Sequence, residues 1–139
     1  MNVKVADVMA KQVITAQPHH TIGHVRDIMT RNGIHAIPIV GPEGEPAGII
    51  TTFDLARAQS ETTPVNHVMT EHVYTIPQYN DVHHAARLMR NHRVHHVVVT
   101  HEQEIVGILS SFDLLQLVED HRYVEKPAPT PAKKSPKRS

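Results

Sequence analysis

The 139-residue sequence contains no cysteine and no tryptophan, and only 4% of its residues are aromatic. Without cysteine there are no disulfides, no thiolate nucleophile and no cysteine-ligated zinc. With so few aromatics, a core must be built from Val, Ile, Leu, Met and Ala. No apolar run approaches the roughly 18 residues that a membrane span requires. The opening "MNVKVADVMAKQ" lacks the apolar stretch of a secretory signal. These absences lead to the expectation of a cytoplasmic protein with no membrane association. No Gly-x-Ser-x-Gly and no phosphate-binding Gly-Lys-Ser/Thr loop occurs, so nothing points to an enzyme.

What is present is a globular composition, 40% hydrophobic and 20% charged, with a formal net charge of zero. The balance hides an asymmetry. From Glu125 onward the tail carries five basic residues and one acid, leaving residues 1–124 net acidic. The tail "EKPAPTPAKKSPKRS" also holds four of the ten prolines. It has no apolar periodicity, and it cannot bury enough surface to offset its ordering entropy. Residues 125–139 are expected to be disordered, capable at most of weak contact with nucleic acid or another acidic surface.

The rest of the chain repeats itself. With Val5 set against Val65, "VADVM" faces "VNHVM", "VITAQP" faces "VYTIPQ" and "IMTRNGIHAIPIV" faces "LMRNHRVHHVVVT". After one deletion near Pro42, "AGIITTFDL" faces "VGILSSFDL". Each copy reads as β-α-β-β-α. The first strands are expected at Val13–Thr15 and Val73–Thr75. The helices after them are expected to be capped by Thr21 and Asp81, with apolar stripes Ile22, Val25, Ile28, Met29 and Val82, Ala85, Ala86, Met89. A strand pair follows (Ala36–Val40 with Ala47–Thr51, His96–Thr100 with Val106–Ser110). A second helix starts near Asp54 or Asp113, with Leu114, Leu117 and Val118 as the stripe of the later one. One copy is marginal alone. Two copies packed sheet to sheet are expected to share one core, giving repeat one over 1–60 and repeat two over 61–124.

The duplication, the "DVM" opening, the Val13-to-Pro18 run, "GIHAIPIV" and "GIITTFDL" together resemble the cystathionine-β-synthase (CBS) domain pair. The resemblance implies an α/β fold of two repeats about a pseudo-twofold axis, their sheets packed face to face with flanking helices. It implies clefts between the repeats that bind adenosine-containing ligands such as AMP, ADP, ATP or S-adenosylmethionine. It also implies a disc-like homodimer that regulates a partner protein, without catalysis and without a required cofactor. Carried over residue by residue, the ribose-binding acid is Asp54 and Asp113. The Ser/Thr three residues earlier is Thr51 and Ser110, and the threonine near the nucleoside is Thr15 and Thr75. In the regulatory subunit of AMP-activated kinase a His-Arg pair faces phosphates. Here the positions are His35-Ala36 and His95-His96, so the histidine matches twice and the arginine is missing twice. Pro38 is replaced by Val98 in the second copy, and the two clefts are not expected to be equivalent.

The residues also support plainer readings. Thr-x-x-Asp and Ser-x-x-Asp are capping boxes in their own right, each contributing about 1 kcal/mol to a helix. A protein with only caps would be a ligand-free dimerisation module. Asp54 and Asp113 occupy repeat-equivalent positions, which suggests two sites rather than one acid–base dyad. The thirteen histidines raise a third reading, a metal or proton sensor. A metal site requires three or four converging ligands, adjacent helical residues such as His83 and His84 are not expected to share a face, and no metal site is assigned. Many histidines would make an acidic body cationic below about pH 6.

Overall fold

The computed structural model describes residues 2–121. The tail expected to be disordered, 125–139, lies outside the described residues. In chain order the elements are α1 (Val5–Val8), α2 (Ile22–Asn32), β1 (Ala36–Val40), β2 (Pro46–Thr51), α3 (Thr52–Leu55), a 3-10 turn (Val65–His67), β3 (Thr75–Pro77), α4 (Val82–His92), β4 (His96–His101), β5 (Glu104–Ser110) and α5 (Ser111–Asp120).

Each repeat is a helix followed by an antiparallel hairpin, β1 with β2 and β4 with β5. The first strands differ from expectation. In repeat two β3 runs alongside β4 in parallel. In repeat one Val13–Thr15 forms no strand, and a single parallel bridge joins Ala16 to Ile39. The pairing centres on the side chain that is buried, Ala16 or Ile76, three residues beyond Val13 or Val73. The hairpin turns also differ. Repeat one uses a loop with Gly44 at φ 82°, whereas repeat two turns through Glu102 and Gln103 at φ 52° and 71°, a two-residue turn with positive φ at both positions and no glycine.

Helices α2 and α4 follow their stripes, burying Ile22, Val25 and Met29 in one and Ala85 and Met89 in the other. Thr21 caps α2 as expected, accepting from the His24 N–H at 3.2 Å. Asp81 does not cap α4 with its side chain. Its carboxylate instead accepts from Lys4 Nζ at 2.8 Å, which pins the start of the chain to repeat two. The helix after β2 lasts one turn, because the chain must then cross back to the start of α2, where Gly23 and Ile22 donate to the carbonyls of Glu61 and Thr63. Its counterpart α5 is ten residues long and has no buried residue. Leu114 packs on the core, while Val118 of the expected stripe is 53% exposed.

Buried side chains form two apolar clusters, one per repeat, rather than the single shared core expected. The clusters are nevertheless interleaved by the leaders of the repeats. Val5 is buried in the second-repeat cluster and Val65 in the first-repeat cluster. Each burial is worth roughly 2 kcal/mol. The leaders are held by backbone bonds as well, Ala10 pairing with Ile108 and Thr70 with Ile49. Glycine makes room for them. A Cβ at Gly48 would stand 2.6 Å from Met69 Sδ, and Met9 would be struck in the same way by a Cβ at Gly107.

Strand alternation completes the architecture. Ile37 and Ile39 enter the helix-covered cluster, yet Pro38 between them is also fully buried, as is Val98 between Val97 and Val99. Strands buried on both faces belong to a sheet covered by helices on one side and by a second sheet on the other. The two sheets therefore pack face to face about the pseudo-twofold axis, with the helices outside.

Candidate functional site

Both Thr/Ser-x-x-Asp phrases sit where a strand turns into a helix, β2 into α3 and β5 into α5. Both form complete capping boxes. Thr51 Oγ1 accepts from the Asp54 N–H at 3.2 Å, and Asp54 Oδ2 accepts from the Thr51 N–H at 2.9 Å. In repeat two the same pair of bonds joins Ser110 and Asp113 at 3.0 and 2.8 Å. The carbonyls of His35 and His95 accept from the Thr52 and Ser111 N–H groups, which tie the start of each middle strand to the cap.

Beyond the caps the two sites diverge. Asp54 is 3% exposed, and its remaining oxygen is already engaged. Arg57 Nη2 donates to Oδ1 at 2.7 Å and also to the Val68 carbonyl at 3.1 Å, while Thr70 Oγ1 lies 3.5 Å from Oδ1. Asp54 is therefore the hub that fastens the second leader to the first repeat. Asp113 is half-exposed, and its Oδ1 has no hydrogen-bond partner among the described residues. The repeat alignment supplies the reason: Gln116 stands where Arg57 does, and Ala10 where Thr70 does. The surface of α5 beside Asp113, carrying Phe112, Leu115 and Gln116, is open to solvent.

The histidines gather near Asp113. His95 Nδ1 lies 3.3 Å from Ser111 Oγ. His96 is half-buried, and burial holds its pKa below the usual histidine value. The charge of His95 adds to this, Asp113 opposes it, and His35 from the other repeat contributes in the lowering direction. Thus His95, Asp113 and, from the other repeat, His35 all act on His96. Thr15 and Thr75 are exposed, and no hydrogen bond links either to the other candidates among the described residues. Sequence reasoning missed Arg57 and Thr70, although the mismatch of Arg57 with Gln116 was visible in the repeat.

A second grouping corrects the expectation that His83 and His84 point apart. In the first turn of α4 their rings lie with centroids 4.0 Å apart, and with Asp81 they offer ligand atoms all within 4.8 Å of one another. A cation there would have to compete with Lys4 for Asp81 and would sit at the positive end of the helix. Among the described residues no helix is long and apolar enough to cross a membrane.

Two repeats, each a helix, an antiparallel hairpin and a capped second helix, with exchanged leaders, define a duplicated α/β module. The sequence profile of the CBS domain matches residues 5–61 and 65–120, and the chain belongs to the CBS-domain family, carrying two copies. Over 123 residues it is 28% identical to the homoserine O-acetyltransferase of Methanosalsum zhilinae, covering 87% of this chain and 25% of that protein. It thus spans about a quarter of that relative's length. It is 29% identical to the CBS domain-containing protein YhcV of Bacillus subtilis, covering 79% of this chain and 81% of that one. Among solved structures, the CBS-domain pair of protein MJ0100 in complex with 5′-methylthioadenosine and S-adenosyl-L-methionine superposes with a TM-score of 0.80 at 30% identity, covering 86% of this chain and 98% of that one.

Proposed function

We propose that this chain is a non-catalytic regulatory module of the cytoplasm that binds one adenosine-containing ligand per chain, with Asp113 of repeat two as the ribose acceptor. The observation that carries the reading is the contrast between the two acids. A ribose diol needs a carboxylate oxygen able to accept, and Asp113 Oδ1 is free among the described residues whereas both Asp54 oxygens are engaged. Ser110, Thr75, His95, His96 and, from the other repeat, His35 surround that acid in this reading. In repeat one Thr15, Thr51 and Asp54 serve the fold. The ligand-bound MJ0100 pair, 30% identical, supports an adenosine-containing ligand.

The module works as a homodimer in this reading, supported by the outward apolar face of α5. Phe112, Leu115 and Val118 are 78, 57 and 53% exposed, and Phe53 in the equivalent place of repeat one is 77% exposed. Apolar side chains grouped in this way mark a contact surface. The competing reading, a ligand-free dimerisation module, is favoured by the completeness of both capping boxes. A thermal-shift panel of AMP, ADP, ATP, S-adenosylmethionine and 5′-methylthioadenosine separates the two. A ligand at 100 times its Kd adds about 2.7 kcal/mol of stability, or several degrees. No shift with any of the five would leave the ligand-free module standing.

A further inference from the structure

The two long helices open differently. Thr21 caps α2 by accepting from the His24 N–H at 3.2 Å. Asp81, in the same place before α4, makes no cap bond with its side chain. Lys4 takes its Oδ1 at 2.8 Å, and Oδ2 has no hydrogen-bond partner among the described residues. Asp81, His83 and His84 each offer a ligand atom within 4.8 Å of the others. Among the described residues no hydrogen bond holds either imidazole, and both residues are exposed. The hydrogen bond from Lys4 keeps the Asp81 carboxyl below the usual aspartate range, so it stands as an anion.

Repeat one cannot form the same group. The positions equivalent to Asp81, His83 and His84 are Thr21, Gly23 and His24, which supply one imidazole and no carboxylate. Position 23 is closed to a side chain, because a Cβ there would stand 3.3 Å from the Glu61 carbonyl of the segment that crosses it. The group in repeat two is also remote from Asp113. Strand β3 runs parallel to β4 with Pro77 beside Thr100, and Asp81 follows that end. Ser110, the cap partner of Asp113, pairs with His96 at the opposite end of β4. The eleven residues of α4, about 16 Å of helix, span the distance between the two ends.

We propose that Asp81, His83 and His84 form a site for a first-row divalent cation of the zinc type, a set of two imidazoles and one carboxylate with an open position left to water. This donor set suits zinc. Zinc with bonds of about 2.1 Å requires ligand atoms about 3.4 Å apart, and exposed side chains reach that spacing by rotation about their own bonds. Two effects oppose the cation: the start of α4 is the positive end of the helix, and Lys4 shares the carboxylate. Each weakens binding about two- to fivefold at an exposed position. That is less than the loss of about 10–100-fold that follows removal of even a supporting partner of a metal ligand. The second effect gives the site a consequence. Cation and Lys4 compete for Asp81, so the metal loosens the tie between the start of the chain and repeat two.

Calorimetric titration of the full chain with zinc chloride tests this, in a non-coordinating buffer at about pH 7.5, where imidazole is mostly neutral. The tightest site should take one zinc per chain. Its affinity should fall roughly tenfold or more in His83→Gln, in His84→Gln and in Asp81→Asn. It should rise about two- to fivefold in Lys4→Gln, and stay unchanged in His24→Gln and in Asp113→Ala. Because His83 and His84 are exposed, their variants should keep the wild-type Tm without metal, so that a lost site reports lost ligands rather than a lost fold. Adenosine binding lost in Asp113→Ala with zinc binding kept upholds the separation of the two sites, and zinc binding lost in that variant overturns it. Zinc bound as tightly by the His83→Gln/His84→Gln double variant as by wild type marks adventitious uptake by scattered imidazoles and overturns the site. A loss in His24→Gln equal to that in His84→Gln does the same. Unchanged affinity in Lys4→Gln overturns the competition at Asp81.

Discussion

Replacing Asp54 and Asp113 by alanine, one at a time, should cost different amounts of stability although the two residues occupy equivalent places. Both substitutions remove a capping-box acid, a loss of about 0.5–2 kcal/mol. For Asp113 that is the whole structural role among the described residues. For Asp54 the loss also strips Arg57 Nη2 of its 2.7 Å partner and leaves Thr70 Oγ1 without the carboxylate 3.5 Å away. Arg57 is 58% exposed in its side chain, so its pairing is screened and adds no more than about 1 kcal/mol. The Thr51 and Ser110 N–H groups, both half-buried at their strand ends, lose their acceptors alike, so that penalty is common to the two variants. The Asp54 variant should therefore lose about 1 kcal/mol more than the Asp113 variant. For a chain of this size that is a Tm drop larger by roughly 3–5 °C. Urea denaturation followed by far-UV circular dichroism, without ligand, measures both. Equal losses within about 0.5 kcal/mol would refute the assignment of Asp54 as a structural hub.

Three further outcomes follow from single features. Glu102→Asn with Gln103→Gly, which suits both residues to positive φ, should stabilise the fold by about 1–2 kcal/mol, read from the denaturation midpoint; no gain would mean that the turn is not strained. His96 is held below the ordinary histidine pKa by burial first and by neighbouring charge second. The unfolded chain then binds the extra proton first, so stability should fall as pH drops below about 6.5 and level off once pH is below the folded value. His96→Gln should flatten that slope, and an unchanged slope in stability measured from pH 7 to 5 would refute the cause. Leu115→Glu with Phe112→Ser should convert the dimer to monomer in sedimentation velocity while leaving the fold intact; a wild type that is monomeric at all concentrations would remove the dimer from the account.

The sequence carried more of the frame than of the site. The spacing of Ile22, Val25 and Met29, and of Ala85 and Met89, located both long helices because a buried stripe leaves a 3.6-residue period. The Ser/Thr-x-x-Asp phrases located both capping boxes because the bonding is local, three residues apart. Whatever depended on distant segments was less legible. Asp81 looked like a cap, but Lys4, remote in sequence, takes its carboxylate. The exchange of leaders that buries Val5 with repeat two leaves no periodic trace. The inequality of the two acids was in reach, since Arg57 aligns with Gln116 and Thr70 with Ala10. It gained meaning only once the fold brought Thr70 within reach of Asp54, sixteen residues away. Arg93 opposite Gly33 was likewise visible as a mismatch, and only the φ of 56° made it a strained cap.

The claim that one adenosine ligand binds per chain at Asp113 is tested most directly by calorimetric titration of wild type, Asp54→Ala and Asp113→Ala with 5′-methylthioadenosine and AMP. The account predicts one site per chain in wild type and an affinity that falls roughly tenfold or more in Asp113→Ala, since charge-assisted hydrogen bonds to the ribose are lost. In Asp54→Ala, at a temperature where that variant is folded, the affinity should match wild type. Two equal sites, or a site abolished by the Asp54 substitution and untouched by the Asp113 one, would contradict it.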